Sequence, residues 1–453
     1  MGRPKRVSVV TLGCSKNLVD SEAILGQLRA NGFKAMHACG IENSAGAGRT
    51  DFLTAGADIV IVNTCGFIAS AKQESINEIL RLAQAKKSGR IAKLIVTGCL
   101  SERYRKELKS GMPEVDAFFG THELPGLLRA LGADYKRELL GERLLATPRH
   151  YAYLKISEGC DRACSFCAIP LMRGRHVSRT MKELAAEARS LARKGVKELI
   201  LIAQDSTAYG LDLYGKRRLA DLLKTLSDVE GIGWIRLHYA FPSGFPRDAL
   251  AVMAERPNIC KYLDMPLQHI NDRILKSMKR GLSSAKTMKL IESIRKEIPG
   301  ITLRSSFIVG YPGETDKEFN ELLDFVNEAE FDRLGVFTYS QEEDTTAFKL
   351  GDAISRKIKQ ERADELMVLQ EAISLKKNNA IVGKKLKVLI DRKEGDYYTA
   401  RSEGDSPEID NEVLIPVSGN KLRLGTFSEI VIKSAESFDL YADLPGKHHH
   451  GRK

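Results

Sequence analysis

"GCDRACSFC", Gly159–Cys167, places three cysteines within eight residues and then stops. A strand-like run, "YAYLKIS" (151–157), lies just before it, so the C-x3-C-x2-C spacing falls on a loop leaving a strand. Metal sites usually take four protein ligands, and here the motif is one short. Working outward, the strand candidates "ELILIAQD" (198–205), "WIRLHY" (234–239), "KYLDMPL" (261–267), "TLRSSFIVG" (302–310) and "RLGVFTYS" (333–340) follow. Helical stretches such as "MKELAAEARSLARKG" (181–195) and "DKEFNELLDFVNEAE" (316–330) separate them. Six strand–helix units in roughly 200 residues suit a partial α/β barrel, since a full eightfold one takes about 250. Residues 353–379 form a long charged helical pattern and read as a connector.

On the amino-terminal side, "RVSVVTLGC" (6–14), "ADIVIVNTC" (57–65) and "AKLIVTGC" (92–99) are strand-like, with "DAFFG" (116–120) a shorter fourth. Helical patterns at 20–33 and 70–89 alternate with them, which predicts a doubly wound parallel sheet. The Gly-rich stretch from His37 to Gly56 reads as an exposed loop. On the carboxyl-terminal side, short strands at 384–392, 397–402, 412–417, 428–434 and 439–444 predict a small antiparallel β-barrel, OB-like in size. The fold class is therefore α/β in three parts. The 453 residues allow about three domains at roughly 150 each.

No run approaches eighteen apolar residues, which argues against a membrane span. "MGRPKR" is basic, but the apolar stretch after it is too short for a signal peptide, so a soluble, cytoplasmic chain is expected. In that reducing setting the eight cysteines (14, 39, 65, 99, 160, 164, 167 and 260) point to metal binding or chemistry, not disulfides.

Three thiolates on one tight loop suit three corners of a 4Fe–4S cube with the fourth iron open. Zinc completed by a distant ligand, with His176 near, or unliganded thiols are the alternatives. Cys14, Cys65 and Cys99 each end a strand of the first domain. A free cysteine is most often a small buried hydrophobe. Yet the carboxyl ends of parallel strands face one crevice, so these three are expected to form a second three-cysteine site. Cys39 and Cys260 fit neither group and read as spare thiols.

The first trio on its barrel resembles the radical S-adenosylmethionine superfamily, and two trios on one chain resemble its methylthiotransferase family. The local wording "LGCSKNLVDSE" (12–22), "NTCGFIASAKQES" (63–75), "GCLSERY" (98–104), "CDRACSFCAIPLMRG" (160–174) and "PEIDNEV" (407–413) is similar to the RimO branch. The resemblance implies a methylthiotransferase domain over 1–148, a radical domain over 149–378, a TRAM domain over 379–445 and a tail over 446–453. It implies two 4Fe–4S clusters and S-adenosylmethionine as cofactors. Cys14, Cys65 and Cys99 would hold the auxiliary cluster, and Cys160, Cys164 and Cys167 the radical one. It also implies methylthiolation of the β-carbon of an aspartate in ribosomal small-subunit protein twelve, and an electron donor of low potential such as flavodoxin. That carbon carries unactivated C–H bonds, a step that cofactors and not side chains perform. The stretch from His37 to Gly56 is longer than the family's usual connection.

Gln204 in "IAQD", Gln268 in "PLQH", Arg304 in "LRSSF" and Gly310 in "FIVGYPGE" are expected near carboxyl ends of barrel strands, where such barrels build their sites. Cofactor contact is the functional expectation for them; strand-end packing, or a plain turn at Gly310, is the ordinary alternative. For Tyr153 an ordinary strand side chain is expected, with lining of the barrel mouth the functional alternative.

The whole chain is net +11, but residues 380–444 hold nine basic against twelve acidic side chains. An acidic barrel would repel RNA and attract a basic protein, which favours a protein substrate. The basic remainder leaves ribosome or ribosomal RNA contact open. The competing readings are a tRNA adenosine methylthiotransferase and a non-catalytic iron–sulfur or zinc protein that binds ribosomes.

Overall fold

The computed structural model describes residues 5–38, 56–136 and 141–446. Cys39, most of the Gly-rich stretch and the terminal histidine-containing tail lie outside the described residues.

The amino-terminal sheet has five parallel strands in the order β2-β1-β3-β4-β5. They are β1 Arg6–Thr11, β2 Lys34–Ala38, β3 Ile59–Thr64, β4 Lys93–Gly98 and β5 Ala117–Phe118. The central β3, "IVIVNT", is buried at every position, as an apolar run covered on both faces requires. The edge strand β2 corrects the reading of His37 as loop: "KAMHA" pairs with β1 through His37 and Ala38.

Six parallel strands then form an open barrel in the order β13-β12-β11-β10-β9-β6. These are β6 Tyr151–Lys155, β9 Glu198–Ile202, β10 Trp234–Leu237, β11 Ile259–Asp264, β12 Thr302–Val309 and β13 Arg333–Thr338. Between β6 and β9, the two-residue strands β7 Ser157–Glu158 and β8 Val177–Ser178 pair antiparallel and pinch the neck of the cysteine loop. Alternation decides the faces. Ala152, Leu154, Leu199, Leu201, Ile235 and Leu237 join the helices in one core, while Tyr151, Tyr153, Ile200 and Ile202 face the lumen. Helix Met181–Arg193 shows why the outer layer forms. A Thr180–Glu183 capping box starts it, and Leu184, Ala188 and Leu191 bury one stripe against the sheet. Helix Arg356–Asn379 is more than a connector: Ala363, Leu366 and Ile373 belong to the same core, beside β13.

The last five strands, β14 Lys385–Glu394, β15 Tyr397–Ser402, β16 Glu412–Pro416, β17 Phe427–Ala435 and β18 Asp439–Asp443, close a barrel in the order β14-β15-β16-β18-β17. It is not wholly antiparallel, because β16 and β18 pair parallel. A closed ring with an odd number of strands cannot alternate direction all the way round, so one seam must be parallel.

This small barrel inserts residues 402–411 into the amino-terminal end of the larger one. Asp405 pairs with Arg333, and Asp410 takes Arg304 and the Tyr262 hydroxyl. Ser406 meets His238, while Arg401, joined to Asp391, reaches Glu198, which also holds Arg236. Burial alone would raise the Glu198 and Asp391 carboxyls, but their arginines, with His150 at Asp391, hold both below the ordinary range. Two of the acids counted toward a basic partner, Asp405 and Asp410, are thus committed to this floor. Among the described residues no helix is long and apolar enough to cross a membrane.

Candidate active site

The opposite, carboxyl-terminal end of the barrel faces the first domain. Helix Ser15–Ala30 leaves β1 through Cys14 and lays Leu18 and Val19 against Tyr151, Tyr153, Ile200 and Ile202. Tyr153 is therefore a packing residue of the lumen. Behind this contact Arg143 joins Glu22, Glu187 and the Tyr153 carbonyl in a buried knot.

Each cysteine of the first trio stands where a strand turns into a helix or loop. Cys14 is the cap of Ser15–Ala30, Cys65 follows β3, and Cys99 opens the short helix Cys99–Arg103 after β4. The approach is close. A side chain at Gly13, where φ is +90°, would meet the Cys65 Cβ at 2.6 Å and its Sγ at 2.8 Å. Asn17, fully buried, ties the ends together: its amide donates to the Leu12 and Thr64 carbonyls. Cys14 is exposed, whereas Cys65 and Cys99 are buried. Burial pushes the Cys65 thiol up to about 12, with the neighbouring thiols adding to it, and raises Cys99 as well despite Arg173.

The second trio sits on the loop that β7 and β8 close. The Cys160 amide donates to the Gly174 carbonyl at 3.1 Å, and the Cys167 amide to that of Cys164 at 3.2 Å. Two arginines flank the sulfurs. Arg280 Nη1 donates to Cys164 Sγ at 3.3 Å, and the Arg162 backbone amide donates to Cys160 Sγ at 3.4 Å. Both guanidiniums stack on the Phe241 ring, at 4.0 and 4.1 Å. Burial raises the Cys160 thiol to about 11 and Cys167 to about 12. A cleft of about 620 Å³, lined by Asp161, Arg162, His176, Asp205 and Arg217 among others, opens beside this loop.

Arg173, which follows the same loop, reaches the first trio. Its Nε donates to Cys99 Sγ at 3.2 Å, and its Nη1 to Asp20 at 2.6 Å and Glu158 at 3.2 Å. Its Nη2 donates to the Asn17 amide oxygen. Lys155 bonds the same two carboxylates. Burial opposes ionisation of Glu158, yet Lys155 and Arg173 draw its carboxyl down to about 2. Neither Asn17 nor Arg173 stood out in the sequence; their signal is a position beside a cysteine motif, visible only once the two loops meet.

The four softer expectations separate. Gln204 donates its amide to Glu158 at 2.7 Å, which leaves its buried Oε1 without a partner among the described residues. An ionised carboxylate accepts only, so this orientation of the amide is chemically forced. Gln268 bridges to β12 in a left-handed conformation, φ +76°. Arg304 is not at the end of its strand: it is the third residue of β12, its guanidinium held by Asp264 and Asp410. The Gly310 amide is taken by Glu314, and a side chain there would strike Lys359. Cys260 is buried against Trp234, Tyr262 and Leu389.

Among the described residues no three His, Cys, Asp or Glu side chains gather closely enough to hold a single metal ion. A cluster, in contrast, takes each thiolate on a separate iron, so its ligands stand farther apart. Buried, raised thiols become ligands when a bound cation compensates the thiolate.

Comparison with known proteins finds relatives along nearly the whole chain. Residues 154–326 match the Radical SAM superfamily, 6–120 the Uncharacterized protein family UPF0004 and 382–444 the TRAM domain. A ribosomal protein uS12 methylthiotransferase RimO of Cytophaga hutchinsonii is 56% identical, over 97% of this chain and 98% of its own. One from Flavobacterium johnsoniae is 54% identical over 97% and 98%. One from Bacteroides thetaiotaomicron is 51% identical over 98% and 99%. Among solved structures, the radical S-adenosylmethionine methyltransferase TsrM of Kitasatospora setae superposes with a TM-score of 0.55 at 15% identity, covering 76% of this chain and 77% of its own. At that identity the likeness speaks to fold alone.

Proposed function

The chain belongs to the family of ribosomal protein uS12 methylthiotransferases, and from that premise we propose how its parts divide one reaction. It transfers a methylthio group to the β-carbon of an aspartate in ribosomal small-subunit protein twelve, by radical S-adenosylmethionine chemistry in the cytoplasm. Residues 1–148, 149–378 and 379–445 serve as the sulfur-handling, radical and TRAM units. The observation that carries the reading is the pair of cysteine trios, one at strand ends and one on a loop whose Arg173 reaches the first.

Cys160, Cys164 and Cys167 would hold one 4Fe–4S cluster, and Cys14, Cys65 and Cys99 a second. Each trio supplies three ligands, leaving one iron for a small molecule. When bound, cluster and S-adenosylmethionine supply the one-electron chemistry that an unactivated C–H bond demands. The chain's own residues do the rest. Arg280 and the Arg162 amide hydrogen-bond the radical-side sulfurs, which helps set the cluster's potential. Gln204, fixed by Glu158, presents an unpaired acceptor to which the cofactor's ammonium can donate. Gln268 offers a second polar group at the mouth. Arg304 and Gly310, as placed, serve the floor and the β12 turn. A low-potential donor such as flavodoxin and contact with ribosomal RNA complete the proposal.

Anaerobic reaction of the iron-loaded protein with a protein-twelve peptide and with tRNA, followed by mass spectrometry, tests it. A gain of about 46 Da on the peptide aspartate, hydrogen replaced by methylthio, is expected. The same gain on tRNA alone would overturn the substrate assignment.

A further inference from the structure

Lys16 is 8% exposed, yet among the described residues it has neither a hydrogen bond nor an ion pair. Its recorded contact is the ring of Tyr239, with Nζ 2.9 Å from the centroid. Three features of this placement are unfavourable at once. A largely covered lysine with no counter-charge in contact gives up part of its hydration, which a ring face offsets only in part. The residue lies in the first turn of Ser15–Ala30, where the helix dipole repels cations and no acidic side chain stands nearby in the turn. The carboxylate one turn on, Asp20, is committed to Lys155 and Arg173.

Tyr239 is unusual too. It follows β10 at the barrel mouth with φ +59°, a left-handed conformation that bulky residues avoid. Neighbouring strands hold it there: its amide donates to Asp264 Oδ2 at 3.1 Å, and its carbonyl accepts from the Ser206 amide at 3.0 Å. Strain of this kind persists where the surroundings over-determine a residue, and it clusters at working sites. Lys16, two residues from Cys14, and Tyr239, at a barrel strand end, thus face each other where the first domain meets the barrel.

We propose that Lys16, seated on Tyr239, is the receptor for the carboxylate of the substrate aspartate. The inference rests on the aspartate reading above and deepens it. In aspartate the reacting β-carbon is one bond from the carboxylate, so a fixed ammonium localises the carbon and its two hydrogens together. An adenine ring carries no anion one bond from its reacting carbon, so the ammonium would localise an aspartate and not an adenine.

The test uses iron-loaded wild-type, Lys16→Met and Lys16→Arg proteins and a fluorescent protein-twelve peptide carrying Asp or Asn at the target position. Wild type should bind the Asp peptide about tenfold or more tightly than the Asn peptide, as a buried charge pair requires. Lys16→Met should bind both at the Asn level, and Lys16→Arg should restore part of the preference. A Lys16→Met protein that keeps the full preference overturns the proposal. So does one whose defect is lost iron or lost affinity for S-adenosylmethionine, since the ammonium then serves a cluster or the cofactor. Wild type that methylthiolates the Asp peptide without preferring it in binding defeats this inference alone; wild type that never modifies it defeats the functional reading.

Discussion

The two cysteine trios reach similar incompleteness by opposite routes. One spans residues 160–167 on a single loop, pinched by β7 and β8; the other draws on three strand ends between residues 14 and 99. The local trio has arginines that touch sulfur and an aromatic ring, and Arg280 has no carboxylate partner among the described residues. The dispersed trio is reached by Arg173, which arrives from the other trio's loop and carries two carboxylates with it. A loop can shape a site by its own spacing, whereas a sheet-borne site needs a strut from outside.

The largest expected effect tests whether the trios are separable. Cys164→Ser should reduce S-adenosylmethionine cleavage to background. Cys99→Ser should keep cleavage while losing methylthiolated product. Each should lower bound iron from about eight atoms to about four. Equal loss of cleavage in both would merge the two sites into one functional unit.

The second test concerns the struts. Arg173→Met leaves Asp20 and Glu158 with one cation fewer in a buried site, so unfolding free energy should fall by about 3–5 kcal/mol. Arg280→Met loses hydrogen bonds to sulfur and to the Pro266 carbonyl but strands no carboxylate, and should cost about 1–3 kcal/mol. Denaturant titration of the two variants ranks them; a larger loss for Arg280→Met would break the comparison.

The smallest effect lies away from the trios, at the floor. Glu198 and Asp391 have depressed carboxyls, so the stability they contribute is present above the ordinary carboxylate values. It is lost as pH falls through their lower folded values. Asp410, raised mainly by burial, works in the opposite direction and blunts the change. Thermal midpoints should fall modestly from pH 5 to pH 3, and Glu198→Gln should flatten that fall. An unchanged slope would remove Glu198 from the account.

Much of the fold was legible because periodicity and turn chemistry are local. The parallel sheets and the five-stranded barrel announce themselves as alternating runs, and the trios as cysteines at strand ends. What the sequence hid is what distant segments do to one another. Nothing local marks Lys16 until the barrel covers it, and Arg304 reads as a strand-end cation until Asp410 arrives from 106 residues away. Charge counting pointed to the protein substrate that the family's name carries, yet it could not show where the acids go. The acids of residues 380–444 were counted correctly, but Asp405, Asp410 and Asp391 point into arginines, not toward a partner. β2 was missed because "KAMHA" has no strong alternation; its pairing with β1 makes it a strand.

The insertion of residues 402–411 into the barrel has a consequence for birth order. A ribosome emits this chain from the amino terminus, so both cysteine trios emerge before the segment that seals the floor. Until then Arg236, Arg304 and Arg333 lack the acceptors that residues 402–411 bring, and the amino-terminal end of the barrel has no floor. The nascent protein is therefore a cup before its base is set, which gives small ions a route that the finished chain lacks. Stalled chains ending near residue 380 should accept iron and sulfide faster than finished apoprotein does; equal rates would rule the route out.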